Sequence, residues 1–276
     1  MMRKKRLGLL SPLLFALCLT GGLVQASGGD EVKLEQAPID RFDRASVQRG
    51  ARLFSNYCLS CHQAKFMNYS SLRELGLTDA QIQQNFLSKG QKVTQAMKSN
   101  IEVADAKNWF GSMPPDLTLA ARSRGTDWIY SYLRGFYKDP SRPTGWNNIV
   151  FPNVGMPHVL WERSSQGVLA VQKFESLGEA QGEALQTNGP TKIKAEHGHG
   201  GGPTHYILEK VNMPQSTPQI AENYNRDVTD LVNYMAFMAE PGYLAHRQTG
   251  RFIVIALAFA VFAAYIVKRE YWKDIR

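Results

Sequence analysis

The stretch "NYCLSCHQAKF", residues 56–66, contains two of the three cysteines of the chain, Cys58 and Cys61, with a histidine directly behind the second. Structural zinc, a redox dithiol and covalently attached haem all use cysteines at this spacing. A structural zinc site needs four ligands, and the sequence has no second cysteine pair. A redox dithiol is expected in a βαβ context, whereas the flanking pattern here is helical. The sequence C-x-x-C-H therefore predicts one covalently attached haem c.

The residues that lead into this motif predict a helix. Apolar residues recur at steps of three and four through Val47, Ala51, Phe54, Cys58 and Cys61, which is the period of one helix face. Because positions three and four apart share a face, both thiols can add to the haem vinyl groups. His62 is then directed at the iron as its proximal ligand.

A glycine inside this predicted helix indicates a close contact with a second helix. Gly50 costs about 1 kcal/mol against alanine at such a position, and a close helix crossing explains its presence. The predicted partner is "DVTDLVNYMAFMAEP", residues 227–241, where apolar residues repeat on one face and Pro241 ends the run.

The first 26 residues have the composition of a secretory signal peptide. Four basic residues precede an apolar run, and Val24 and Ala26 fit a small-residue cleavage signal. The alternative, a transmembrane anchor, is disfavoured because proline and glycine interrupt the short run. Cleavage after Ala26 removes Cys18 and leaves a mature chain with only Cys58 and Cys61.

The C-terminal end predicts a membrane anchor. "FIVIALAFAVFAAYIV", residues 252–267, has 16 residues without a charge and spans about 24 Å as a helix, a little less than a hydrocarbon core of about 30 Å. Flanking basic and aromatic residues extend the span into the interface. A buried helix of a soluble protein is the alternative. We assign residues 247–276 to the anchor and a short cytoplasmic tail.

The distribution of charge excludes a nucleic-acid-binding surface. The net charge of +8 lies in the two termini, because residues 27–246 carry 22 basic and 22 acidic groups. The basic excess thus reflects membrane topology. Residues 27–246 are long enough for one exported domain with a substantial core.

A second axial ligand is expected from the methionines, since electron-carrying cytochromes often use a thioether sulfur. The segment "FPNVGMPHVLW", residues 151–161, presents Met156 in a loop that two prolines and a glycine hold extended. Its apolar neighbours suit the wall of a haem pocket. Met213 and His158 are the alternatives.

Taken together, these residues resemble the cytochrome c1 family, the haem subunit of the ubiquinol–cytochrome c reductase (cytochrome bc1) complex, in its bacterial type. The resemblance covers most of the exported chain, through "RGARLFSNYCLSCHQAKFMNYSSL", "MPPDLTLAARSRGTDWIYSYLRGFY", "FPNVGMPHVLW" and "DVTDLVNYMAFMAEP" before the anchor. It implies a mainly α cytochrome c-like haem domain plus one C-terminal transmembrane helix. It also implies Cys58 and Cys61 as thioether attachments and His62 and Met156 as iron ligands.

The resemblance further assigns the segment "MPPDLTLAARSR", residues 113–124, to the haem. Its proline turn, at Pro115, is expected to pack at the haem, and an arginine near "TDW" is expected to pair a propionate. Counting from the prolines gives Arg124, and a shifted gap gives Arg122. An arginine suits a partly buried propionate because it can pair the carboxylate through two hydrogen bonds.

The implied function is electron transfer in the inner membrane of a bacterium, with the haem domain in the periplasm and the C-terminus in the cytoplasm. The implied partners are cytochrome b, the Rieske iron–sulfur protein as donor and a soluble cytochrome c as acceptor. A membrane-tethered cytochrome that feeds a terminal oxidase or reductase is a second hypothesis. A haem peroxidase or gas sensor with an open iron is a third.

One segment departs from the family pattern, a long insertion at residues 164–214. Glycine and polar residues dominate its centre, so we expect an irregular, mobile excursion. "GVLAVQKF" and "HYILEKVNM" predict a short hairpin within it. His197, His199 and His205 form a loose cluster that we expect to be incidental rather than a metal site.

Overall fold

The computed structural model describes residues 31–197 and 204–273. The predicted signal peptide, residues 1–26, lies outside the described residues. In chain order the regular elements are β1 (Glu31–Lys33), α1 (Arg44–Leu53), β2 (Ala64–Asn68), α2 (Asp79–Phe86), β3 (Ala96–Met97), α3 (Val103–Phe110), α4 (Ala120–Ser123), α5 (Thr126–Arg134), β4 (Phe136–Lys138), β5 (Trp146–Asn148), β6 (Val168–Phe174), α6 (Leu177–Gln186), β7 (Thr191–Glu196), β8 (His205–Asn212), α7 (Pro218–Ala239) and α8 (Tyr243–Tyr271).

Helices α1 and α7 cross at the centre of the haem domain, as Gly50 predicts. A Cβ added to Gly50 would lie 1.9 Å from the backbone oxygen of Asp230, so only glycine allows this approach. Asp230 is buried and its carboxylate accepts hydrogen bonds from the hydroxyl of Ser46 at 2.5 Å and from the guanidinium of Arg49 at 2.6 and 2.8 Å. The crossing therefore combines backbone contact with a satisfied buried charge.

The predicted apolar stripe of α1 faces this crossing. Val47, Ala51 and Phe54 are 0–2% exposed and belong to the main hydrophobic core, together with most of α7. The side chain of Asp43 accepts a hydrogen bond from the backbone of Ser46 and so begins α1. The face of α1 that carries the stripe leads on to Cys58, which belongs to the same core.

The insertion at residues 164–214 is not irregular, and our expectation on this point was wrong. It forms an antiparallel sheet with strand order β1–β7–β8–β6, which we call the insertion sheet, and helix α6 packs against it. The two predicted strand segments do pair, with Val168 opposite Asn212 and Phe174 opposite Tyr206. They are not a hairpin, because α6 and β7 lie between them in the chain.

The insertion sheet also changes the description of the fold class. Strand β1, from the start of the described chain, pairs with β7 at a register of Val32 opposite Lys192. Two further two-stranded ribbons, β2–β3 and β4–β5, flank the helices. The chain is thus a helical haem domain with a substantial β component, and a mainly α fold describes it only in part.

The C-terminal helix α8 has the length and composition of a membrane span. Residues Thr249–Tyr271 form a 23-residue stretch that contains an 18-residue window of mean hydropathy 2.3, and the rest of the chain buries none of that window. At about 1.5 Å per residue such a stretch reaches about 34 Å, enough for a hydrocarbon core of about 30 Å. The finding is consistent with membrane anchoring through a single C-terminal apolar helix.

Candidate haem site

The two cysteines lie where α1 ends in a wider helical turn. Residues Phe54–Cys58 form a π-helical turn, and the backbone then continues, with the amides of Cys61 and His62 donating to the carbonyl of Cys58 at 3.1 and 2.8 Å. Both thiols are free; Cys58 is buried and Cys61 is partly exposed. The motif is therefore carried at the end of a rigid, core-packed helix.

The environment of Cys58 does not suit a redox dithiol. Burial, with a smaller contribution from the nearby Cys61, raises the pKa of the Cys58 thiol to about 12. Thiol–disulfide oxidoreductases require the opposite shift, since the thiolate is their reactive form. The described residues also contain no group of three or more histidine, cysteine or carboxylate side chains that would hold a metal ion. His199 of the insertion lies outside the described residues.

The histidine of the motif is oriented by the backbone of the proline turn. Nδ1 of His62 lies 2.8 Å from the carbonyl oxygen of Pro115. Because a carbonyl can only accept, the hydrogen bond requires the proton on Nδ1, which leaves the lone pair of Nε2 for a metal. Burial, the largest influence, lowers the pKa of His62 despite the raising effects of Pro115 and Asp116. Neutral imidazole is the form that binds iron.

The segment after Pro115 is also held against the motif by backbone hydrogen bonds. The amide of Leu117 donates to the carbonyl of Gln63 at 2.8 Å, and the amide of Lys65 donates to the carboxylate of Asp116 at 2.9 Å. These contacts place Pro115 beside His62. The packing of Pro115 at the haem, which the resemblance implies, stays a prediction.

Met156 lies in a loop that approaches the end of α3. A Cβ on Gly155 would lie 2.6 Å from the backbone oxygen of Phe110, so glycine permits this approach. Met156 packs against a small hydrophobic cluster of Phe136, Trp146 and Val154. The hydroxyl of Tyr132 lies 3.4 Å from its sulfur and donates a hydrogen bond to it. The sulfur is thus positioned by a neighbour that the sequence analysis did not identify.

The alternative ligand His158 has a structural environment. Its ring stacks on Phe136 at 4.9 Å and 6°, and its Nε2 lies 2.8 Å from the hydroxyl of Ser164. Burial and the charge of Lys138 lower its pKa to about 4. Met213, the other alternative, packs on the outside of the main core directly after β8. These contacts favour Met156 as the second ligand.

The two candidate arginines lie in different surroundings. The guanidinium of Arg124 lies 5.2 Å from the ring centroid of Trp128, and Trp128 stacks on Tyr132 at 5.0 Å and 9°. Arg124 is thereby connected to Met156 through two aromatic rings. Arg122 instead lines a cavity with Arg41 and Glu240. This arrangement favours Arg124 as the partner of a haem propionate.

The residues present fit a covalently attached haem c. Two free thiols, an imidazole with a free Nε2 and a partly buried thioether are the donor set that such a group requires. Trp128 and Tyr132 were missed at the level of sequence, although their spacing of four marks an aromatic face of α5. Phe151 and Trp161 are 48% and 50% exposed.

Comparison with known proteins agrees with this chemistry. The model of the Cytochrome C1 family matches residues 34–167, which include every predicted site residue and end where β6 begins. A cytochrome c1 of Allochromatium vinosum is 39% identical over 94% of this chain and 96% of its own length. A Nitrosomonas europaea protein named ammonia monooxygenase gamma subunit is 38% identical over 95% and 97%. The mitochondrial cytochrome c1 haem protein of Saccharomyces cerevisiae is 23% identical over 87% and 70%.

Proposed function

Because the chain belongs to the cytochrome c1 family, we propose that it is the electron-transfer haem c subunit of a ubiquinol–cytochrome c reductase, the cytochrome bc1 complex. It takes electrons from the Rieske iron–sulfur protein and passes them to a soluble cytochrome c, while cytochrome b holds it in the assembly. The chain acts as an enzyme only as a subunit, since it carries electrons and performs no substrate chemistry of its own.

Four side chains hold the haem in this proposal. Cys58 and Cys61 would attach it through thioether bonds, and His62 Nε2 and Met156 Sδ would bind the iron. Haem c, when bound, supplies reversible one-electron redox chemistry. A soft thioether ligand favours the reduced iron and so raises the potential. With two side chains of the chain as iron ligands, the site would serve electron transfer rather than a substrate.

Two further residues support this set. The carbonyl of Pro115 keeps the proton on Nδ1 of His62 and fixes the ring. Arg124, held over the ring of Trp128, pairs a propionate through its planar guanidinium. The hydrogen bond between His62 and Pro115 is the single observation that carries the proposal, because it prepares the motif histidine to bind a metal through Nε2.

The proposed topology is that of a tail-anchored periplasmic protein of the bacterial inner membrane. A signal peptide, residues 1–26, is removed, and residues 27–246 form the haem domain in the periplasm. Residues 247–276 form the anchor and a short cytoplasmic tail. The basic residues Lys268 and Arg269, at the end of α8, favour a cytoplasmic C-terminus by the positive-inside rule.

Expression in a host competent for cytochrome c maturation tests the attachment. We expect the purified mature chain to be red, to gain the mass of one haem and to give a pyridine haemochrome spectrum. The double variant Cys58→Ala/Cys61→Ala should lose the covalent haem, whereas the conservative change Ser60→Ala within the motif should retain it. A colourless wild-type chain with the mass of its amino acids alone would overturn the proposal.

Copurification distinguishes the proposed complex from other assemblies. Cytochrome b and a Rieske protein should copurify with the chain from native membranes. A membrane-tethered carrier would instead purify with a terminal oxidase or reductase, and a chain with the role named in the Nitrosomonas relative would purify with an ammonia monooxygenase. Carbon monoxide binding to the reduced wild-type protein would indicate an open iron, as in a peroxidase or gas sensor.

A further inference from the structure

A cavity lies where the haem domain meets the base of the membrane helix α8. It has a volume of ≈ 230 Å³ and is lined by Arg41, Ala121, Arg122, Ala236, Ala239 and Glu240. We propose that this cavity binds the phosphodiester headgroup of an anionic phospholipid. The proposal rests on the membrane anchoring proposed above and adds to it a specific lipid site.

The charges that line the cavity match one phosphodiester. Arg41 and Glu240 form an ion pair at 3.2 Å. The guanidinium of Arg122 is exposed, and within residues 31–197 and 204–273 no carboxylate lies in ion-pair distance of it. Two guanidinium groups and one carboxylate leave a single positive charge, and a phosphodiester carries a single negative one. The planar guanidinium also matches the oxygens of a phosphate in geometry.

The cavity has room for such a group because its remaining lining is small. Three alanines, one from α4 and two from the last turn of α7, contribute only methyl groups. Since a water molecule occupies about 30 Å³ in the liquid, a cavity of ≈ 230 Å³ exceeds the needs of an isolated water. The polar groups at its edge then favour a charged occupant.

The cavity lies close to the outer edge of the lipid headgroup layer. The guanidinium of Arg41 lies 5.0 Å from the ring centroid of Tyr243, and the ring of Phe42 lies 5.2 Å from the same ring. Tyr243 begins α8, and the apolar span begins six residues later at Thr249, which corresponds to about 9 Å along a helix. The headgroup layer on each side of a bilayer is about 5–8 Å thick, so Tyr243 lies at its outer edge. Aromatic residues near this level are typical of the membrane interface.

Native mass spectrometry of the full-length, haem-loaded protein in detergent tests the site. Phosphatidylglycerol, phosphatidylcholine and inorganic phosphate are added in turn. We expect the wild type to retain one phosphatidylglycerol in preference to the other two. The variant Arg122→Gln should weaken this retention about tenfold or more, since it removes charge-assisted hydrogen bonds. Arg226→Gln, an exposed change on α7 away from the cavity, is the matched control and should behave as wild type.

Each contrary outcome has a distinct meaning. Equal retention by Arg122→Gln and Arg226→Gln would overturn the lipid site, as would equal retention of inorganic phosphate and phosphatidylglycerol. The wild-type preference among the three probes decides the proposal even if Arg122→Gln does not fold. Haem absorbance and membrane retention are followed in every sample. Their loss in the wild type would contradict the proposed function and would leave the proposed lipid site as a separate question.

Discussion

The crossing of α1 and α7 and the insertion sheet are held together by different kinds of contact. At the crossing, backbone meets backbone at Gly50 and a carboxylate, Asp230, is buried beneath its partners. In the insertion sheet, backbone hydrogen bonds join strands that carry exposed apolar side chains, such as Val168 at 50% and Val171 at 57%. Substitutions at the crossing should therefore lower the free energy of unfolding strongly, whereas substitutions in the insertion sheet should have small effects.

The largest expected effect comes from adding a side chain at the crossing. Gly50→Val places atoms within 1.9 Å of the Asp230 backbone oxygen, so the helices must separate. We expect a loss of several kcal/mol in the free energy of unfolding, a large share of the roughly 5–15 kcal/mol that a domain has. Chemical denaturation followed by far-UV circular dichroism measures the loss.

The matched change in the other region is Gly182→Ala in the middle of α6. Among the described residues, no atom lies within 4 Å of a Cβ added there. We expect a gain of about 1 kcal/mol, because alanine is the better helix former. Comparable losses for Gly50→Val and Gly182→Ala would contradict the contrast between the two regions.

A smaller effect is expected from the ion pairs of the two regions. Arg49→Ala leaves the Asp230 carboxylate, whose side chain is 3% exposed, without its cation. We expect a loss of about 3 kcal/mol in the free energy of unfolding. Lys194→Ala in the insertion sheet removes a partner of Glu209 from a pair that is 37% and 16% exposed, and should cost less than about 1 kcal/mol. Urea titrations of both variants, run side by side, compare the two pairs.

The next effect concerns the iron ligand rather than stability. Met156→Leu should open the iron, abolish the methionine–iron absorbance band and lower the potential by more than about 100 mV, which corresponds to about 2.3 kcal/mol per electron. Met213→Leu, directly after β8, is the control and should leave both unchanged. Redox titration followed by absorbance measures the potential. If Met156→Leu kept the wild-type potential and Met213→Leu lost it, Met213 in the insertion would be the iron ligand instead.

The smallest effect is expected from the hydroxyl that contacts the ligand. Tyr132→Phe removes a hydrogen bond to the sulfur of Met156 and makes the thioether a better donor to oxidised iron. We expect the potential to fall by a few tens of millivolts, since a neutral hydrogen bond contributes only about 1 kcal/mol. Tyr206→Phe in β8 should not change the potential. A shift of equal size in both variants would show that Tyr132 acts through stability alone.

The sequence was sufficient to predict features that depend on a few neighbouring residues. The period of the α1 stripe, the cost of Gly50 in a helix and the C-x-x-C-H spacing each follow from a few neighbouring residues, and the structure confirms the helix and its crossing. The structure places Pro115 beside His62, whereas its packing at the haem, implied by the resemblance, stays a prediction. The C-terminal apolar helix was predicted from composition, and the structure extends it to 29 residues.

The sequence was insufficient to predict features that depend on contacts between residues far apart in the chain. The insertion sheet depends on the pairing of Val32 with Lys192, which no local pattern indicates. Two of its strands were predicted but joined as a hairpin, and β7 lies in the polar stretch that resembled a loop. The π-helical turn Phe54–Cys58 was not predicted from the sequence. The stack from Arg124 through Trp128 to Tyr132 needed side-chain positions to be recognised, and it favours Arg124 over Arg122 as the proposed partner of a propionate.

The crossing of α1 and α7 also sets an order of events for biogenesis. It joins Gly50 to Asp230, so the newly made N-terminal half waits for a segment synthesised 180 residues later. At about 5–20 residues per second this interval is roughly 10–40 s. Cys58 belongs to the same buried cluster as α7 and is 7% exposed in the finished domain. Its sulfur is therefore more accessible before α7 docks than afterwards.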